Sequence, residues 1–212
     1  MNMSLIRLAI VVLLTMSVHQ AALSQTMGCG SLTSSFGPFD YRTVSTSNRL
    51  LVENAHFLPK VEMLKEGNSA SRPGPDIAYT LHVMPNHPRA LLAMERLSAK
   101  EHALQPSGAR YTAECYMIRG IEFTPDDPMP HMIYAIFLKN RNRKEGALKE
   151  ALQAESLAGE PTGFELDYNM GLLFFDLGMY DKAEMHSDRA YALGAAYPGL
   201  RKKISTIPRK PS

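Results

Sequence analysis

Apolar residues recur every three or four positions through most of the chain after residue 75, and turn residues interrupt them at regular places. In the last such block, Met170, Leu173, Phe174 and Leu177 share one helical face and Gly178 ends the run. Ala183, Ser187 and Ala190 then place small residues along one stripe of the following helix, and Gly171 is small where a neighbouring helix must come close. The pattern predicts a pair of short helices over residues 167–193. The block before it reads the same way. Residues 129–140 carry Tyr134, Ala135, Phe137 and Leu138. Asn142 with Glu145 three later reads as a variant capping box, and Ala147, Ala151 and Ala154 follow. Further upstream, Leu91, Met94 and Leu97 predict a helix after Pro88. Residues 100–110 read as a longer loop, and residues 111–123 as the returning helix, with Ala113 and Gly120 seven apart.

These blocks echo one another. Pro85-Asn86-His87-Pro88 and Pro125-Asp126-Asp127-Pro128 lie 40 residues apart, and each ends one helix and opens the next, with the second proline in a first turn. Ala113 to Ala147 spans 34 residues and Ala147 to Ala183 spans 36, the excess falling in the loop at 159–163. Glu95 stands where the first block should carry a small residue. Residues 198–204 read as a short capping helix.

Gly171, Gly178, Tyr180, Ala183 and Ala190 together resemble one tetratricopeptide (TPR) repeat, a helix–turn–helix unit of 34 residues. The resemblance extends over residues 76–205. It implies an all-α superhelix of about three helix–turn–helix units, the number at which stacked helix pairs bury a continuous core. It also implies protein binding through the first helices of the units, which line a concave groove. Carried onto this sequence, the groove comprises Arg89, Leu92, Arg96, Met129, Met132, Ile136, Lys139, Tyr168, Leu172 and Phe175. Family members that grip a terminal carboxylate use Lys and Asn on these helices. Asn169 fits one such place, whereas Ile133 and Ala93 stand at the matching earlier ones, which argues against a carboxylate clamp. The implied ligand is a protein or peptide segment with apolar anchors and some acidic character.

Ahead of the repeats, residues 25–75 read as an irregular extension. Serines and glycines dominate its start, and Phe36, Phe39 and Tyr41 sit close together where Gly37 and Pro38 forbid a helix. Residues 48–57 read as a short helix or strand, 58–66 as a helix opened by Pro59 and stopped by Gly67, and 67–74 as a flexible connector. Because the three aromatics are tethered to the repeats, they are candidates to fill the groove from within, in competition with an external ligand.

Residues 1–24 carry Arg7 as their only charge, an apolar run at 8–18 too short to span a bilayer, and small residues at Ala22 and Ser24. This is the pattern of a secretory signal peptide. The whole arrangement is similar to a group of exported bacterial TPR proteins, which points to the periplasm. Thr26-Met27-Gly28-Cys29 is also a weak lipobox, and acylation of Cys29 would anchor the chain at the outer membrane. Otherwise Cys29 and Cys115, the chain's two cysteines, would pair in an oxidising compartment. The two fates of Cys29 exclude each other.

Charge narrows the remaining classes. The formal net charge of +2 falls to +1 without Arg7, so nucleic acid binding has no general electrostatic support; the basic tail at 206–212 lacks aromatics. No nucleophile motif, phosphate loop or zinc-binding pair of histidines occurs, so neither an enzyme nor a cofactor is expected. Asp126 and Asp127 read as helix caps. Copper binding is a second reading: Met129, His131 and Met132, with His82, Met84 and His87, mix thioether and imidazole groups that suit copper(I). A third is a subunit whose partner is itself.

Overall fold

A computed structural model describes residues 28–159 and 163–207. The signal-peptide reading of residues 1–24 and most of the tail at 206–212 lie outside the described residues. Among those described, every regular element is helical: α1 (Thr46–His56), α2 (Pro59–Glu62), α3 (Pro73–Val83), α4 (Pro88–Glu101), α5 (Ala113–Phe123), α6 (Pro128–Lys139), α7 (Lys144–Leu157), α8 (Phe164–Asp176), α9 (Tyr180–Ala192) and α10 (Gly199–Ile204).

Local chemistry sets most of the starts. Proline occupies the first turn of α2, α3, α4 and α6, where its missing N–H costs nothing. Thr112 accepts the amide of Cys115, and Asp127 accepts the amide of Met129, as capping side chains. His87 caps α4 in the same way, its Nδ1 accepting from the Ala90 amide. The predicted box at Asn142 and Glu145 does not form. Asn142 instead supplies the left-handed turn residue before α7, at φ 58°, and no side chain caps that helix.

The helices pack in neighbouring pairs, most extensively α6 with α7 and α8 with α9. Small residues allow this closeness: Ala135, Ala147, Ala151, Ala154, Ala183 and Ala190 are all fully buried. Gly178 turns α8 into α9 at φ 78°, a conformation that suits glycine. Along the first helices of the predicted units, α4 lies beside α6 and α6 beside α8.

One apolar core runs the length of the molecule, from Phe57, Val61 and Leu64 through Leu91, Met94 and Met117 to Met170, Leu173 and Phe174. The extension therefore contributes to the main core. Residues 48–57 form a helix, α1, but α2 stops at Glu62, short of the predicted Gly67, because Leu64 turns left-handed at φ 57°. The segment expected to be a flexible connector is tied down: the buried Asp76 carboxylate accepts from the amides of Asn68 and Ser69, and His56 Nδ1 lies 2.9 Å from it.

Candidate binding face

The residues expected to line a groove divide into three groups. Leu92, Met129, Ile136, Leu172 and Phe175 are half-buried on α4, α6 and α8. They remain accessible at the margin of the core. Lys139 also lies there, its Nζ donating to Asp176 across the α6–α8 boundary at 2.8 Å. Asp176 receives Lys203 from α10 as well; although burial opposes it, these two ammonium groups hold its carboxyl below the usual range.

Arg89 and Arg96 are exposed but already engaged. The Glu62 carboxylate accepts from Arg89 Nε at 2.9 Å and also from its Nη2, while the Glu62 carbonyl accepts from Arg96 at 3.2 Å. The Leu64 carbonyl accepts from Lys100 at 2.9 Å. The basic end of the row thus carries α2 and the turn after it. Arg89 in turn keeps the Glu62 carboxyl below its ordinary range.

Met132 and Tyr168 make contacts of a different kind. Met132 is fully buried in the core. Tyr168 stands 36 residues later, the spacing that separates Ala147 from Ala183. Its hydroxyl accepts the Leu200 amide at 3.2 Å, and its ring packs against Tyr191 and Tyr197. The 36-residue offset makes the two positions equivalent, and both lie under structure. The Asn169 amide donates to the Glu165 carbonyl, one turn back on its own helix.

The aromatic segment is not in the row either. Phe36, Phe39, Tyr41 and Val44 form a satellite cluster with Val52, Val83 and Met84, at the end of α3. A polar net fixes it there. Asn86 accepts the Tyr41 amide at 2.9 Å and donates to Asp40 at 2.7 Å and to Asp127 at 2.9 Å. Arg42 grips Asp40 and reaches Asp126 at 2.9 Å. The Arg42 guanidinium lowers the Asp40 carboxyl to about 2. The two proline-bracketed echoes in the sequence are therefore adjacent turns, and residues 40–42 stitch them together.

Cys29 and Cys115 form a disulfide that joins residues 86 apart. With its sulfur in that bond, Cys29 does not carry the thioether lipid allowed by the alternative reading. The same strand of chain is anchored by Arg119, whose Nη1 donates to the carbonyls of Cys29, Gly30 and Ser31 at 2.8–3.1 Å. Nothing in the sequence marks Arg119 as buried; its partners are backbone carbonyls 88 to 90 residues away.

Three of the copper candidates, His87, His131 and Met132, are engaged within the fold. Both nitrogens of His87 are used, one by the Ala90 amide and one beside Glu53 at 3.1 Å. His131 Nδ1 lies 2.6 Å from Glu150 and Met132 is buried. Among the described residues no cluster of three His, Cys, Asp or Glu side chains could hold a metal, and no helix is long and apolar enough to cross a membrane.

Comparison with protein-family models, with curated proteins and with solved structures found no match.

Proposed function

We propose that this chain is an exported scaffold of TPR-like units, not an enzyme, that holds a protein or peptide segment on the row formed by Leu92, Met129, Ile136, Leu172 and Phe175. The observation that carries the reading is the recurrence of helix pairs with fully buried small residues at matching places, Ala147 and Ala183 above all, while a row of large apolar side chains along α4, α6 and α8 stays half-exposed. A core needs the first set. It does not need the second, and exposed apolar rows of this kind mark interaction surfaces. The disulfide supports export to an oxidising compartment such as the periplasm.

The expected ligand carries apolar anchors. Of the basic residues assigned to one end from the sequence, Arg89 is paired with the Glu62 carboxylate. Ile136→Asp with Leu172→Asp tests the reading in intact cells. Crosslinks made from a photoreactive residue at position 129 should be lost in the double variant while its melting temperature stays near that of the parent. Unchanged crosslinks would remove the binding site from this row. If the only crosslinked species is a second copy of the chain, the scaffold is a self-assembling subunit.

A further inference from the structure

A cavity of about 280 Å³ opens on another part of the molecule, between α3, α5 and the loop at 108–111. Its wall includes Tyr79, His82, Arg110, Tyr111, Tyr116 and Arg119, and no carboxylate lines it. Arg119 is 1% exposed. Its Nη1 is shared among three carbonyls, but Nε and Nη2 have no hydrogen-bond partner among the described residues, and no carboxylate there lies within ion-pair distance. A buried guanidinium balanced by carbonyl dipoles and by the Tyr111 ring, 5.0 Å from its carbon, with no carboxylate, leaves a net positive field in its surroundings.

The rest of the wall adds to that field. Arg110 is exposed, lies over the Tyr111 ring with its guanidinium carbon 5.4 Å from the centroid, and has no acidic partner among the described residues. Burial, then Arg119 and Arg110, hold His82 below its ordinary range. Hydrogen-bond donors are also left over. Among the described residues the hydroxyls of Tyr79 and Tyr111 have no partner, and that of Tyr116 accepts from the Arg110 amide at 3.2 Å while its own proton remains available. The wall thus offers uncompensated positive charge, free hydroxyl donors and three aromatic rings.

We propose that this cavity binds a small monocarboxylate carried on a planar ring. Size, charge and shape converge on that class. The volume equals roughly nine waters at about 30 Å³ each, room for a single ring and its carboxylate. Two arginines with no lining acid select an anion, and the tyrosine rings in the wall suit a flat apolar body. The anion need not touch the closed Nε and Nη2 of Arg119. It takes its hydrogen bonds from the tyrosine hydroxyls and Arg110, and it is the counter-charge that the buried guanidinium lacks.

Calorimetric titration of the disulfide-bonded protein tests this with benzoate, 4-hydroxybenzoate and the neutral isostere benzamide. Benzoate should bind saturably with one-to-one stoichiometry, and benzamide at least about tenfold more weakly, the ratio for about 1.4 kcal/mol. Arg110→Glu, at an exposed position, should keep the parent melting temperature and weaken benzoate by about tenfold or more. Arg119→Met should abolish binding; because it also releases residues 29–31, the Arg110 variant decides the matter if Arg119→Met fails to fold. An N-acetylated peptide ending in phenylalanine separates the sources of this chemistry. Binding of the peptide that depends on its free carboxylate and on Arg110, without binding of benzoate, overturns the ring acid in favour of a chain terminus, and binding of benzoate alone supports it. Absence of saturable benzoate binding, equal affinity for benzamide, or indifference to Arg110→Glu overturns the proposal.

Discussion

The two halves of this chain are held together by different means. From Pro128 to Ala192 the most extensive contacts are local: two helix hairpins, each closed by buried alanines against its own partner helix. From Cys29 to Asp127 the contacts reach across the sequence. A disulfide spans 86 residues, Arg119 holds carbonyls 88 to 90 residues away, and Arg42 reaches Asp126 over 84. The first kind of contact follows from periodicity. The second needs single charged or covalent partners, because residues 28–45 have no helix of their own whose face could be buried.

Each half also carries buried histidine–carboxylate pairs, and those of the two hairpins are mirror images. His131 on α6 meets Glu150 on α7, whereas Asp167 on α8 meets His186 on α9, each pair 19 residues apart. Offset by 36 residues, these are the same two positions with acid and base exchanged. The two hairpins thus hold the same pair in opposite orders.

The comparison can be broken most severely at the disulfide. Cys29→Ser with Cys115→Ser should remove on the order of 4 kcal/mol, the chain-entropy value for a loop of this length. Hydrogen exchange in the variant should rise in residues 28–127 and stay near parent values in 128–192. A uniform rise would show that the two halves unfold as one unit. Gly171→Leu probes the other half. A Cβ built there comes within 2.7 Å of Leu200 and 3.4 Å of the Ala183 carbonyl. Leucine should therefore cost about 1–3 kcal/mol by overpacking, and Ala135→Leu a similar amount, both read from thermal melts. A melt unmoved by both substitutions would contradict the close approach of the helices.

The exchanged pair offers a sharper test. Asp167→Leu or His186→Leu alone should cost about 1–3 kcal/mol, since each removes a buried hydrogen bond. The swap Asp167→His with His186→Asp should recover more than half of that loss, because the preceding hairpin already holds that arrangement. No recovery would mean that surroundings particular to α8 and α9 fix the order. The smallest effect is expected at Asp40. Its carboxyl is depressed from 3.8 to about 2 by Arg42, so its stabilisation is complete above the ordinary value and lost as pH falls through the folded one. Asp40→Asn should lower stability by up to about 1 kcal/mol at neutral pH. The gap from the parent should close between pH 3.8 and about 2. A gap unchanged across that window would assign the loss to the hydrogen bond with Asn86 instead of the charge.

Helix positions and the buried small stripes were legible in the chain because a helix shows its packing face as a repeat of three to four residues, and Ala113, Ala147 and Ala183 fall on it at spacings near 34. The cysteine pairing was legible because only two are present. Burial between helices follows no such period. The register carried over from the repeat resemblance puts Met132 and Tyr168 in the groove, yet the core encloses Met132, and α10 with its preceding loop lies on Tyr168. Phe36, Phe39 and Tyr41 announced an apolar anchor but not its seat, since the hydrophobic effect has no direction and the seat is chosen by Asn86, Arg42 and Asp127. Arg119 had no signature at all. Its burial depends on three carbonyls brought in by a distant strand, and a charge becomes a buried charge only when the tertiary fold closes over it.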